Sequence, residues 1–378
     1  MLLQKMSNKN FDVYFDFGSS KIRAGAFNKN NIENSFFCES DYFLDQSYLD
    51  SNLKKIIFNL EKKTEEYLDE VNLMIDSPEI LSISISLSKK LDKSKLTEED
   101  IQFLVQDAKQ QILRNYLDLS IIHIIIKNYK VDNTDYFFAP IDKNCNLISI
   151  DIIFLCIPKK KIESLKQVFS KFDVSVNQII SSSYAKSISF KNNFPSIKNI
   201  SFIDIGFYKT SIINYKKNHI SFFQILPFGS HHITKDLSKI LKIDLKNAEK
   251  IKLSFDKSDN DLKEENFSFD LIQEIIFTRV EEILKFSIKA IKLDDNYNPS
   301  DELLVVLMGE GSKILNNQFN KKISLIDNYE LIKENAASIC RAGLNFNISI
   351  NRQEVLVVPK KQIKTGFFEK LFHFFEEK

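Results

Sequence analysis

Glycine is scarce in this chain: 8 residues in 378, about 2% against an average near 7%. Each glycine that remains therefore marks a place where the backbone turns sharply or something packs closely on it. Cysteine is also sparse, with Cys38, Cys145, Cys156 and Cys340 scattered and forming no CxxC pair, which excludes a zinc-type ligand spacing and fits reduced, buried thiols. No apolar run reaches the length that crosses a bilayer, and the first ten residues hold no long apolar stretch or cleavage pattern of a secretory signal. Net charge is nearly absent too. Lysine plus arginine number 52 against 51 acidic residues, so no global field exists to draw in nucleic acid, and none is expected as a partner.

What is present is the composition of a water-soluble globular chain, 43% hydrophobic and 27% charged, long enough for two or three compact units. Phe11 to Phe17 alternates and stops at Gly18, and Lys21 to Phe27 resumes the apolar pattern, which reads as a β-hairpin. A helix is expected from Leu49 to Glu70 and a strand from Ile80 to Leu87. Thr97 followed by Glu98, Glu99 and Asp100 signals the start of an amphipathic helix running to Tyr116. Strand-like segments at Ile121 to Tyr129, Tyr136 to Pro140 and Leu147 to Ile157 follow, then a helix from Lys159 to Phe172. Phe190 to Ile200 reads as a linker into a second strand-turn-strand, Ile200 to Tyr215. Beyond it are expected a helical stretch from Thr234 to Leu253, a polar loop around Asp256 to Asn266, a long helix from Phe269 to about Leu293, a strand from Leu303 to Met308, and a helix from about Asn335 to Ala342.

The informative feature is an internal repeat. Phe15-Asp16-Phe17-Gly18-Ser19-Ser20-Lys21 recurs as Ile203-Asp204-Ile205-Gly206-Phe207-Tyr208-Lys209. An aspartate at such a strand end is placed to hold a hydrated Mg²⁺, and the glycine lets backbone N–H groups approach phosphate oxygens. One isolated Asp-x-Gly is ordinarily a hairpin turn; two copies facing each other would clamp a triphosphate. The five histidines offer no metal site, since His231 and His232 are adjacent and no cysteine or histidine is near them.

Paired hairpins of this type resemble the two phosphate loops of the actin superfamily, and the segments downstream resemble the FtsA family within it. They are Leu226 to Leu237; Ala248-Glu249-Lys250-Ile251-Lys252; Ile275 to Ile283; Val306-Leu307-Met308-Gly309-Glu310-Gly311-Ser312; and Ala336 to Leu344. The resemblance implies an actin-like, duplicated ribonuclease H-like fold of two lobes and four subdomains, one an inserted SHS2-type unit. Its parts fall at 1–85 and 159–199 (subdomain 1A), 86–158 (the inserted 1C), 200–229 and 289–335 (2A), 230–288 (2B), 336–350 (a closing helix) and 351–366 (a linker). It further implies ATP held by Asp16, Gly18, Ser19, Ser20, Lys21, Asp204, Gly206, Lys209 and Thr210 at the phosphates. Glu249 and Lys252 would reach ribose and adenine, Gly309, Gly311 and Ser312 would receive the adenosine, and Asp16 and Asp204 would hold Mg²⁺ through water. Arg279 is implied as the contact for the acidic C-terminal tail of the tubulin-like protein FtsZ, although on composition alone it pairs with Glu282 on its own helix. The second loop departs from the family pattern: Phe207 and Tyr208 stand where further glycines are expected, with Lys209 offering a cation. No catalytic base is identifiable, so binding rather than turnover is implied, with at most a weak ATPase.

The chain ends in an amphipathic pattern. At ~100° per residue, Phe367, Phe368, Leu371, Phe372, Phe374 and Phe375 fall within one arc of roughly 160°, after a stretch containing Lys360, Lys361 and Lys364. In the FtsA family a terminal helix of this kind attaches to the membrane, so 367–378 is expected to bind an anionic surface. The resemblance thus implies a division adaptor on the cytoplasmic face of the bacterial inner membrane at the septum, self-assembling head to tail. The rival expectation is a PilM-like cytoplasmic adaptor of a pilus or secretion assembly, which shares the fold but needs no lipid-binding tail.

Overall fold

Phe11–Phe17 (β1) and Lys21–Asn28 (β2) pair antiparallel, register Asp16 opposite Arg23, and Ser35–Asp41 (β3) extends the meander. The chain crosses over through helix α1 (Leu49–Thr64), whose Leu53, Ile56, Ile57 and Leu60 form its buried stripe. It returns as β4 (Glu70–Ile75), parallel to β1. The computed structural model describes residues 9–41, 48–255, 267–315, 326, 328–348 and 353–355. Helix α3 (Lys159–Ser170) leads to β9 (Ser175–Ser181), parallel to β4, and then to α4 (Ser182–Lys191). The sheet order is β3-β2-β1-β4-β9.

The second half repeats this plan. Asn199–Ile205 (β10), Thr210–Lys216 (β11) and His219–Leu226 (β12) form the meander. After α5 (His231–Leu241), α6 (Leu245–Ser254) and α7 (Phe269–Ile291), the strands Leu304–Met308 (β13) and Tyr329–Leu331 (β14) join in parallel. The order, β12-β11-β10-β13-β14, matches the first sheet strand for strand. The period-2 alternation of strands explains how this sheet is covered on both faces. Ile203, Ile205, Ile212, Val305 and Leu307 face a core shared with α5, α6 and α7, whereas Phe202, Ile213, Val306 and Met308 join the core of the first lobe. One continuous apolar interior therefore links the lobes at the floor of the cleft.

Between β4 and α3 lies a separate unit: β5 (Leu81–Lys95), α2 (Glu98–Asn115), β6 (Leu119–Val131), β7 (Thr134–Tyr136) and β8 (Asn144–Pro158), in sheet order β5-β8-β6-β7 with its own core. The helix start expected at Thr97 is formed, and Thr97 and Asp100 close a capping box there. Helix α8 (Ala336–Ile348) returns to the first lobe against α4 and β2. Gln353 then stitches the inserted unit to the second sheet, its amide donating to Ile126 O (3.0 Å) and Ile220 O (3.2 Å).

Several boundaries differ from expectation for physical reasons. Strand β5 runs unbroken from Leu81 to Lys95, across the division at 85/86, because β8 pairs with it along nearly its whole length. The single helix expected over Thr234 to Leu253 is two, broken where Lys242 takes a left-handed φ of 57° and Asp244 caps α6. Helix α8 passes through Gly343 rather than ending there, since that position packs against Met74 and Tyr14. The polar loop 256–266 and the terminal helix 367–378 lie outside the described residues.

Candidate functional site

Ligands in open α/β sheets bind beyond the carboxyl ends of the strands, and here three apolar strands deliver an aspartate to that edge. Asp16 sits near the end of β1, Asp76 follows β4, and Asp204 sits near the end of β10. All three face the cleft between the lobes, where they line a cavity of about 30 Å³ together with Gly18, Ser19, Ser20, Lys21, Gly206 and Gly309. That is room for about one water molecule. A second, larger cavity of about 400 Å³ adjoins it, lined by Ser20, Lys21, Phe207, Ser230, Glu249, Lys252 and Gly311 among others, a volume suited to a small organic ligand. Phe207 borders both cavities. The structure thus assembles most of the nominated phosphate and nucleoside residues from four distant segments. Lys209, Thr210 and Ser312 border neither cavity.

Every strand-end carboxylate meets a cation of the chain itself. Asp16 accepts from Arg23 (2.9 Å) and from the Ser182 hydroxyl (2.6 Å), and Arg23 reaches on to Glu310 at 2.6 Å. Asp204 accepts from Lys186 at 2.8 Å, and the same ammonium lies 3.0 Å from Glu334. Lys209 contacts Asp76 at 2.5 Å and donates to the hydroxyls of Ser183 and Ser211. Burial works against charge on Lys186, but Asp204 and Glu334 outweigh it and hold the lysine protonated. Burial likewise opposes ionisation of Asp204, and Lys186 and Lys209 more than compensate, so its pKa is lowered. For Asp76 burial prevails over Lys209 and the pKa is raised. Glu334 is pushed up to about 7, by burial and, more weakly, by Asp204, against the pull of Lys186. Sequence inspection missed Arg23, Asp76, Ser182, Lys186 and Glu334. The signal for Asp76 was available, because Val71-Asn72-Leu73-Met74-Ile75-Asp76 ends in aspartate as the two repeat strands do.

The turns explain why glycine survives here. In both hairpins the glycine N–H donates to the lysine carbonyl three residues on, Gly18 to Lys21 at 3.1 Å and Gly206 to Lys209 at 2.9 Å. The second turn is also pinned from outside by the N-terminus of α5: Ser230 N donates to Gly206 O (2.9 Å) and His231 N to Phe207 O (2.8 Å). Gly309 takes φ 95° where the loop after β13 presses on Asp204 and Ile205, a conformation that other residues rarely adopt.

Around the larger cavity, Glu249 and Lys252 pair at 2.7 Å on α6, and both bond the Thr234 hydroxyl. Lys252 also sits 5.3 Å over the Phe207 ring, a cation–π contact. Burial, only partly offset by Glu249, lowers the Lys252 pKa. His231 packs on Phe207 and Tyr208, and burial, with Lys235 and Lys252 nearby, takes it down to about 4. Arg279 is held by Asp236 on α5 (2.5 and 3.0 Å) and by Glu282 on its own helix, as its local sequence suggested. Thr210 bonds the Phe228 carbonyl and Ser312 the Gly309 carbonyl, so both shape loops.

Nucleotide and Mg²⁺ binding is general in the actin-like ATPase fold family. The nucleoside half of such a ligand fits the larger cavity. The nominated pair offers a metal little: both Asp16 oxygens are bonded and Asp204 Oδ1 is held by Lys186, so that only the buried Asp204 Oδ2 is without a hydrogen-bond partner. Among the described residues no cluster of three or more acidic, histidine or cysteine side chains is arranged to hold a metal ion.

Among solved structures the chain resembles the PilM-PilN type IV pilus biogenesis complex (TM-score 0.61, 10% identity, 87% of this chain and 89% of that one) and the ethanolamine utilization protein EutJ from Carboxydothermus hydrogenoformans (TM-score 0.50, 13% identity, 88% and 89%). At these identities the likeness concerns the fold. In sequence, the family model described as Cell division protein FtsA matches residues 201–354. The FtsA of Buchnera aphidicola subsp. Acyrthosiphon pisum is 23% identical over 354 residues, 82% of this chain and 83% of the relative. The FtsA of Helicobacter pylori is 27% identical over 138 residues, 36% and 28%. The FtsA of Streptococcus pneumoniae serotype 2 is 22% identical over 290 residues, 73% and 63%. With its duplicated five-stranded sheets and interlobe cleft, the chain carries the actin-like fold, and in sequence it is similar to the FtsA family of cell-division proteins.

Proposed function

We propose that the chain is a division adaptor that binds an adenine nucleotide in the 400 Å³ cavity, assembles with copies of itself, engages the acidic FtsZ tail, and attaches to anionic membrane through 367–378. The observation that carries this reading is the convergence on one cavity of Ser20, Lys21, Glu249, Lys252 and Gly311, which the family resemblance nominates on the sequence alone. The inserted unit answers in position to subdomain 1C. Arg279 remains the nominee for the FtsZ tail: a peptide carboxylate would compete with Asp236 for its guanidinium fork. The tail residues Phe367, Phe368, Leu371, Phe372, Phe374 and Phe375 lie outside the described residues, and their role rests on the amphipathic pattern. Among the described residues no helix is long and apolar enough to cross a membrane.

Two experiments test the reading. Calorimetric titration of ATP into the full chain is expected to show a saturable site, and its absence removes the nucleotide. Deleting 367–378 is expected to abolish co-sedimentation with anionic liposomes, whereas undiminished pelleting removes the membrane.

A further inference from the structure

The charged residues at the strand ends of the cleft form a pattern of their own. Arg23 stands on β2 of the first lobe and grips Glu310 of the second at 2.6 Å while holding Asp16. Lys186 stands on α4 of the first lobe and holds Asp204 of the second at 2.8 Å. Lys209 belongs to the second lobe and holds Asp76 of the first at 2.5 Å. Each pair therefore crosses the cleft, and the three cations have side chains only 2 to 7% exposed. A divalent ion between two facing strand-end carboxylates would draw them together by neutralising both; here Arg23 and Lys186 do that without one.

We propose that these ion pairs stand in place of a divalent cation, so that the cleft takes no Mg²⁺ and the chain binds its adenine nucleotide without metal. Most of the carboxylate oxygen a hydrated ion would use is taken: both Asp16 oxygens by Arg23 and Ser182, and Asp204 Oδ1 by Lys186, which leaves the buried Asp204 Oδ2 as the one unpartnered oxygen of the pair. The 30 Å³ pocket between them leaves no volume for an ion with its waters. An added cation would also meet the ammonium of Lys186 and the guanidinium of Arg23 at contact range. The nucleotide clause rests on the function proposed above; the metal clause stands on the ion pairs alone.

Two measurements on the full chain separate the clauses. In the first, Mn²⁺ alone is titrated and followed by electron paramagnetic resonance, with thermal unfolding recorded in millimolar Mg²⁺ and in EDTA. No saturable ion and an unchanged melting temperature are expected; one bound ion per chain, or a melting temperature that rises with Mg²⁺, overturns the proposal. In the second, ATP is titrated in Mg²⁺ and in EDTA. Dissociation constants within twofold of each other are expected, and a tenfold loss in EDTA overturns the proposal. Heat in neither buffer defeats the nucleotide reading, while the Mn²⁺ titration still decides the metal clause. Lys186→Met, which frees Asp204 and Glu334, is expected to gain Mn²⁺ affinity; Arg23→Lys, which keeps the charge, is the variant to use if Lys186→Met does not fold, and is expected to stay metal-free.

Discussion

The two hairpins are the same piece of sequence used twice, with opposite outcomes. Both place an aspartate near the strand end and close the turn with a glycine-to-lysine backbone bond. Lys21 of the first hairpin sits at the rim, 20% exposed, near Glu39 and Asp41 of its own lobe, and borders the cavities. Lys209, its counterpart, is buried and reaches into the other lobe to Asp76. The first turn is tied to the end of β4 by the Ser19 hydroxyl, which donates to Asp76 O (3.2 Å), and lines the cleft cavity, while the second is pinned under the N-terminus of α5. Local sequence sets the shape of a turn; what packs beyond it sets the job. The first hairpin is a pocket rim and the second is a clasp.

The two hairpins are expected to differ most when their lysines are removed. Lys209→Met strands a buried carboxylate and is expected to cost about 3–5 kcal/mol, whereas Lys21→Met is expected to stay within about 0.5 kcal/mol; urea unfolding of the two variants measures both. Equal losses would mean that the clasp is no clasp. Next in size is the turn packing. A Cβ at Gly229 would lie 2.5 Å from Gly206 O and 2.7 Å from Phe207 O, so Gly229→Ala is expected to cost about 1–3 kcal/mol. Gly18→Ala, whose nearest neighbour outside the adjacent residues is Lys21 O at 3.0 Å, is expected to cost less.

A pH dependence is expected from the end of α5 that pins the second hairpin. His231, packed on Phe207, titrates near 4 when folded, below its ordinary 6.5. The unfolded chain therefore binds the proton more readily, and the stability this histidine contributes is complete above pH 6.5 and lost as pH falls toward 4. Wild type is expected to lose more stability across that window than His231→Gln, by thermal unfolding at pH 7, 5.5 and 4.5; parallel curves would remove the assignment.

Much of this was legible in the sequence, and the remainder has a physical reason for being hidden. The repeat exposed both hairpins because a turn is encoded locally, and Thr97 with Asp100 announced α2 for the same reason. Strands β3 and β9 went unread: short and half-polar, they owe their pairing to neighbours distant in the chain. The cross-cleft ion pairs were invisible because their members are far apart in the chain, Arg23 and Glu310 by 287 positions. Lys186 left one trace, as a lone charge inside the small-residue run Ser181 to Ser189, where a charge is retained only with a buried partner. Arg279 was read both ways, and its ion pairs with Asp236 and Glu282 leave the FtsZ contact to binding experiments.

The central claim is that the cavity beside α6 and the loop after β13 holds the base of an adenine nucleotide. Photolabelling of the full chain with 8-azido-ATP, followed by peptide mapping, addresses it without altering a residue. Label on the peptides carrying Glu249 to Leu253 or Gly311 to Ile314, displaced by excess ATP, is the predicted result. Label confined to other surfaces, or none that ATP displaces, would contradict it.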